Sequence, residues 1–158
     1  MPNLVIDKIY NQVFLHSIDK SIFVFLCGGI GENCIRDKVR NELMKQNFQV
    51  LYPEDLFIDI INNDKNKSLL EMEEFLAINS DVICVICESI GSAVELGAFA
   101  QNTLTREKLI IAIEKKYIRK RSFIVLGPVR LLKKLTLSLC CLIKKMTFLL
   151  LLKILKNL

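Results

Sequence analysis

Short continuous runs of apolar residues alternate along this chain with segments whose apolar residues recur every three or four positions. Ser21–Cys27 is rich in β-forming residues and ends at glycines, and Val82–Cys87 is apolar throughout. Runs of this length indicate strands that are buried on both faces of a parallel sheet. Phe48–Tyr52 and Leu109–Ile113 give two further predicted strands.

The segments between these strands have the spacing of amphipathic helices. In the first of them, Ile35, Val39 and Leu43 recur at four-residue intervals, which places them on one helical face. Another begins at Ser68, which has the capping-box spacing to Glu71. The four predicted helices are 32–47, Asp55–Asn62, the one that begins at Ser68, and Ser92–Asn102.

The alternation of strands and helices predicts an α/β fold. We expect a flavodoxin- or Rossmann-like parallel sheet of four to five strands, in the order 2-1-3-4, flanked by helices. Ligands bind such sheets beyond the carboxyl ends of the strands, where the strand order reverses. That reversal places the loop Cys27–Gly31 beside the loop Glu88–Ser92.

The end of the chain differs from the rest. We predict one domain over residues 1–134 and a separate Leu/Lys-rich tail over 135–158, which has no Gly, Pro, Asp or Glu. Its lysines interrupt the run of about 18–20 apolar residues that a membrane span needs, so a membrane span is not expected and a membrane is not favoured as a partner. Three interpretations stay open: an amphipathic helix on a partner or membrane, an apolar element that completes an oligomer, and the low-complexity end of a truncated or frame-altered gene.

Charge and cysteine content narrow the function classes only slightly. A net charge of +5 permits contact with nucleic acid without establishing it. Cys84 and Cys87 form a C-x-x-C inside an apolar run and His16 is the only histidine, so no metal site is predicted. Unpaired buried cysteines and the lack of a secretory signal favour a cytoplasmic protein.

The first candidate loop is rich in glycine. Gly28, Gly29 and Gly31 let the backbone turn sharply and let a ligand approach closely, and the helix that follows is expected to offer free amides to a phosphate. With Cys27, their backbone would hold the ligand. The loop matches neither the dinucleotide fingerprint nor the P-loop, so a tight strand-to-helix turn is the alternative.

The second candidate loop contains Ser89, Gly91, Ser92 and Glu95. Spacing alone allows Glu95 to cap the helix by folding back on Ser92. Alternatively, its carboxylate faces a pocket and stabilises or attacks the oxocarbenium-like sugar that forms when an N-glycosidic bond breaks. Ser89, Gly91 and Ser92 would then hold a sugar hydroxyl or a phosphate.

Other polar residues have two interpretations each. Glu54 and Asp55 follow the second strand and would either accept hydrogen bonds from ribose or lie solvated at a helix start. A basic cluster would either contact a phosphate backbone or form a solvated face. The cluster comprises Lys115, Lys116, Arg119, Lys120 and Arg121.

Three motifs, Phe23–Gly29, Asp81–Cys87 and Gly91–Gly97, together resemble the nucleoside 2-deoxyribosyltransferase-like family. The resemblance aligns Glu95 with that family's catalytic glutamate. Ser89 stands where its transferases commonly have an aspartate, which favours hydrolysis over deoxyribosyl transfer.

A more specific resemblance is to the effector proteins of retron antiphage systems, through Tyr52–Phe57, Ser89–Phe99 and Arg121–Arg130. It implies a toxic nucleotide N-glycosidase that needs no cofactor, with NAD or another nucleotide as substrate. It also implies partners, a retron reverse transcriptase and its multicopy single-stranded DNA, and is compatible with a homo-oligomer. The alternatives are a non-catalytic nucleotide sensor and an inactive truncated remnant.

Overall fold

The computed structural model describes residues 10, 22–31, 34–54, 57, 68–114, 117–118, 121–134 and 140–143. Asp55 and most of the predicted helix Asp55–Asn62 lie outside these residues. The elements in chain order are β1 Phe23–Cys27, α1 Ile35–Met44, β2 Gln49–Leu51, α2 Leu69–Asn79, β3 Val82–Cys87, α3 Ile90–Gln101, α4 Thr103–Arg106, β4 Leu109–Glu114, a π-helical turn Val125–Val129, α5 Arg130–Lys134 and β5 Cys140–Ile143.

The strands form one parallel sheet in the order β2-β1-β3-β4-β5. This confirms the predicted α/β class and the strand order 2-1-3-4. β5 adds a fifth strand from the segment that the sequence separates as a tail. The strand order reverses between β1 and β3, where Cys27 pairs with Val85. The loops that follow these two strands therefore begin next to each other at the carboxyl ends of the strands.

Helices cover both faces of the sheet because successive strand residues point in opposite directions. Phe25, Ile83 and Ile111 pack with α2, α3 and α5, whereas Val24 and Cys84 pack on the opposite face with α1. The apolar strand runs are therefore buried on both sides, as expected for parallel strands. No helix among the described residues is long and apolar enough to cross a membrane.

The predicted start of α2 at Ser68 is confirmed, whereas its capping box and the predicted start of α3 at Ser92 are wrong. Ser68 is the N-cap of α2, but its side chain makes no capping hydrogen bond, so the box with Glu71 is absent; both residues are exposed, and water competes there for polar groups. α3 begins at Ile90, earlier than predicted, because Ser89 is its N-cap. Ser92 N donates to Ser89 Oγ at 3.1 Å and Ser92 Oγ accepts from Ser89 N at 3.0 Å.

We expect the Ile83→Ala substitution to reduce the free energy of unfolding by about 2–5 kcal/mol, because it leaves a cavity in the core. Ile83 is fully buried, whereas Ile90 is 87% exposed. The matched control Ile90→Ala is expected to change that free energy by no more than about 0.5 kcal/mol. Urea unfolding followed by circular dichroism measures both; equal losses would contradict the assignment of Ile83 to the core.

Candidate functional site

A cavity of about 370 Å³ lies beyond the carboxyl ends of β1 and β3. Five of the predicted site residues line it: Gly28, Ser89, Gly91, Ser92 and Glu95. Cys27, Gly29 and Gly31 do not appear in its lining, and Asp55 lies outside the described residues. The remaining lining residues are Ile30, Pro53, Glu54, Phe57, Leu69 and Glu73.

Glu95 lies in the first half of α3 and does not cap that helix, because Ser89 and Ser92 form the capping box. Its Oε2 atom is buried and has no hydrogen-bond partner among the described residues. The buried Cys27 thiol hydrogen-bonds to the carboxyl group. Glu95 therefore lines the cavity and has one carboxyl oxygen, Oε2, that is buried without a described partner.

Burial raises the pKa of Glu95 to about 7, and the charge of Glu54 adds to this effect. The Arg36 guanidinium and the Cys27 thiol act in the opposite direction by favouring the charged form. Burial also raises the pKa of Cys27 well above its ordinary value. The thiol thus stays protonated near neutral pH and remains a hydrogen-bond donor to Glu95.

Glu73 is a cavity residue that the sequence patterns did not identify as a site residue. The residue is only 6% exposed and lines the same cavity as Glu95. Burial raises its pKa to about 7, and the charges of Glu95 and Glu54 act in the same direction. The spacing of Leu69, Glu73 and Leu76 contained the signal, since residues i, i+4 and i+7 share a helix face.

Glu54 is held by an ion pair beside the cavity. Arg36 Nη1 lies 2.8 Å from Glu54 Oε1, and the guanidinium carbon lies 4.4 Å from the centre of the Tyr52 ring. The second carboxylate oxygen, Glu54 Oε2, is buried without a hydrogen-bond partner among the described residues. Arg36, which is 5% exposed, is thus engaged with Glu54.

The glycine loop is shaped by packing against its neighbours. A Cβ at Gly28 would lie 3.0 Å from the Cβ of Arg36, and one at Gly29 would lie 3.0 Å from Cys34 Sγ and 3.2 Å from Glu88 Cγ. Gly31 has φ of 139°, which disfavours a side chain. These contacts support the tight strand-to-helix turn.

The predicted free amides at the start of α1 are not free. Ile35 N and Arg36 N donate to the two Glu88 carboxylate oxygens at 3.0 and 3.3 Å. An acidic group satisfies these otherwise unpaired amides and interacts favourably with the helix dipole. A phosphate at this position would have to displace Glu88, so the expectation that these two amides are free is wrong.

Within the described part of the chain, no group of three or more His, Cys, Asp or Glu side chains has the arrangement of a metal site. The prediction of metal-independent chemistry stays a prediction.

We expect Glu73→Gln to stabilise the protein more at pH 8 than at pH 5. The pKa of Glu73 is raised from 4.5 to about 7, so the folded protein favours the protonated carboxyl group. This contribution to stability is fully present below about pH 4.5 and is lost as the pH rises through about 7. Glutamine keeps the shape but never ionises. Thermal unfolding at both pH values measures the difference.

Glu71→Gln is the matched control, because Glu71 is exposed on the same helix. It is expected to change the Tm by the same amount at both pH values. If Glu73→Gln behaved in the same way as this control, Glu73 would not be a buried carboxyl group with a raised pKa.

Comparison with known proteins gives a family match. The family model described as STM3845 retron effector protein matches residues 32–156. The chain is 41% identical over 133 residues to the Escherichia coli "Retron Ec86 putative ribosyltransferase/DNA-binding protein", covering 82% of this chain and 43% of that protein. It is 35% identical over 116 residues to the Escherichia coli "Retron Ec73 putative ribosyltransferase/DNA-binding protein", covering 68% and 37% respectively. The chain thus spans less than half the length of either relative.

Proposed function

This chain belongs to the STM3845 retron effector protein family, and from that premise we propose that it cleaves the N-glycosidic bond of a nucleotide. The observation that carries the proposal is that Glu95 lines the cavity and that its buried Oε2 has no hydrogen-bond partner among the described residues. The names of the two relatives include ribosyltransferase, which is chemistry at the same sugar carbon. The resemblance to nucleoside 2-deoxyribosyltransferase-like proteins assigns Glu95 the same role.

In the proposed reaction, ionised Glu95 acts on the anomeric carbon of the sugar. Either its carboxylate oxygen forms a bond to that carbon while the N-glycosidic bond breaks, or its charge stabilises the oxocarbenium ion. The departing base takes the electron pair of the broken bond. Water then attacks the anomeric carbon and passes a proton to solvent, and any bond to Glu95 breaks with its electron pair returning to the carboxylate.

Glu73 is the proposed proton donor to the departing base. Two carboxyl groups beside one cavity do not ionise independently, since the first negative charge raises the pKa of the second group. The charge of Glu95 acts on Glu73 in this direction. One carboxylate and one carboxylic acid then coexist near neutral pH, as in other sites that use a carboxyl pair for glycosidic cleavage.

Glu54 is proposed to bind the ribose hydroxyl groups. Arg36 holds one of its oxygens at 2.8 Å, which leaves the other for a sugar hydroxyl. The Ser89 hydroxyl instead lies 3.0 Å from Ser92 Oγ and accepts a hydrogen bond from Ser92 N. Because Ser89 brings no carboxylate to position an acceptor base, we propose water as the acceptor and NAD or another nucleotide as the substrate.

The biological role is proposed from the family. A retron effector with this activity would be toxic to the cell through loss of nucleotides. We propose that a retron reverse transcriptase and its multicopy single-stranded DNA hold it in check. The relatives' names include DNA-binding protein, which is compatible with such a nucleic-acid partner.

We expect Glu95→Gln to lower base release by at least about 10²–10³-fold, because it removes the charge that stabilises the transition state. The measurement is chromatography of NAD and a nucleotide panel after incubation with the protein, alone and with its reverse transcriptase and DNA. Glu71→Gln is the control, because it removes one exposed carboxylate and should leave activity unchanged.

Glu73→Gln in the same assay tests the second carboxyl group. General acid catalysis contributes about 10²–10⁴-fold to a rate. For a nucleotide whose base would otherwise leave as an anion, the rate of base release should fall by that factor. The rate of NAD cleavage should fall far less, because nicotinamide leaves as a neutral molecule and needs no proton. Binding of a nucleotide without any release would favour a sensor over an enzyme, and failure to bind any nucleotide would favour an inactive remnant.

A further inference from the structure

The segment from Lys115 to Lys134 contains lysines and arginines but no Asp or Glu. Four of its cations are described and exposed: Arg121, Arg130, Lys133 and Lys134. None of these four side chains makes an ion pair or hydrogen bond with another described residue. Positive charge is thus uncompensated on this surface, at least by the part of the chain that the structure describes.

Most cationic side chains elsewhere in the described chain make ion pairs, hydrogen bonds or cation–π contacts. Arg36 pairs with Glu54 at 2.8 Å and Lys45 pairs with Glu42 at 2.6 Å. Lys108 donates to two main-chain carbonyl groups. The four cations of the 115–134 segment differ from these, because they remain available to an external anion.

A cavity of about 440 Å³ lies among these cations. Arg130, Lys133 and Lys134 of α5 line it together with apolar side chains that include Val125 and Leu126 of the π-helical turn. The cavity of about 370 Å³ in the candidate site is instead lined by Glu54, Glu73 and Glu95. An extended polyanion is therefore attracted to the first surface and repelled from the second.

The segment that carries these cations also contains an exposed aromatic ring. Phe123 is 82% exposed, so its ring contributes little to the core. Single exposed apolar residues are common on protein surfaces. A Cβ at Gly127 would lie 3.5 Å from the Phe123 ring, so the ring rests close to the backbone of the π-helical turn. Its remaining surface is open to a stacking partner.

We propose that this basic-aromatic surface, formed by Arg121, Phe123, Arg130, Lys133 and Lys134, binds single-stranded nucleic acid. The cations contact backbone phosphates and a base stacks on Phe123, the combination that sequence-independent single-strand binding uses. A duplex gains less here, because its bases are already stacked on one another. A membrane surface fits poorly, because α5 has only five residues and membrane-surface helices are longer.

The test is fluorescence anisotropy of the full 158-residue chain with a labelled single-stranded DNA of mixed sequence over a range of salt concentrations. The double variant Lys133→Ala/Lys134→Ala should bind more weakly, with a slope of log affinity against log salt shallower by about 1.4. The double variant Lys38→Ala/Lys45→Ala removes the same charge from two exposed positions, one in α1 and one at its C-cap, and should bind as the wild type does.

Phe123→Ala should weaken binding by about tenfold, the loss expected for one stacked base, without changing the salt slope. Because Phe123 is exposed, this substitution is expected to change the stability of the fold little. Three results would each overturn the proposal: equal weakening by the two double variants, wild-type affinity of Phe123→Ala, or binding of phosphatidylserine vesicles without binding of the oligonucleotide. None of these measurements depends on glycosidase activity, so the two proposals fail separately.

Discussion

The burial of neighbouring carboxyl groups is the constraint on which the rest of the site depends. Glu54, Glu73 and Glu95 line one cavity, where lost hydration and nearby negative charge oppose the ionisation of Glu73 and Glu95. The pKa values of Glu73 and Glu95 therefore rise to about 7. Arg36 offsets part of this cost through its ion pair with Glu54. An arrangement that destabilises the charged fold is typical of functional sites.

The scaffold keeps these groups in place through contacts between segments that are distant in sequence. Glu88 follows β3 and accepts hydrogen bonds from the first amides of α1, so the two loops at the reversal of strand order are joined. The Ser89–Ser92 capping box fixes the start of α3 and with it the position of Glu95. Loop and helix start are thereby held rigidly enough for the carboxylate to be preorganised.

The sequence predicts the sheet and the Glu95 loop well, because continuous apolar runs and the rule of strand-order reversal depend on local pattern and topology alone. It fails at Glu73, because a glutamate on an apolar helix face is normally assigned to solvent. The capping role of Glu88 could not be predicted, since its partner amides lie more than 50 residues away in the chain. β5 was missed because its Leu- and Lys-rich surroundings show no clear strand period.

The central claim is that Glu95 is a buried carboxyl group beside other carboxylates. Carbon-13 NMR titration of its side-chain carboxyl carbon tests this claim most directly. The account predicts a midpoint at about pH 7 that falls in Glu54→Gln, because this change removes one repelling charge and frees Arg36 to interact with Glu95. A midpoint near the ordinary value of 4.5, unchanged in Glu54→Gln, would contradict it.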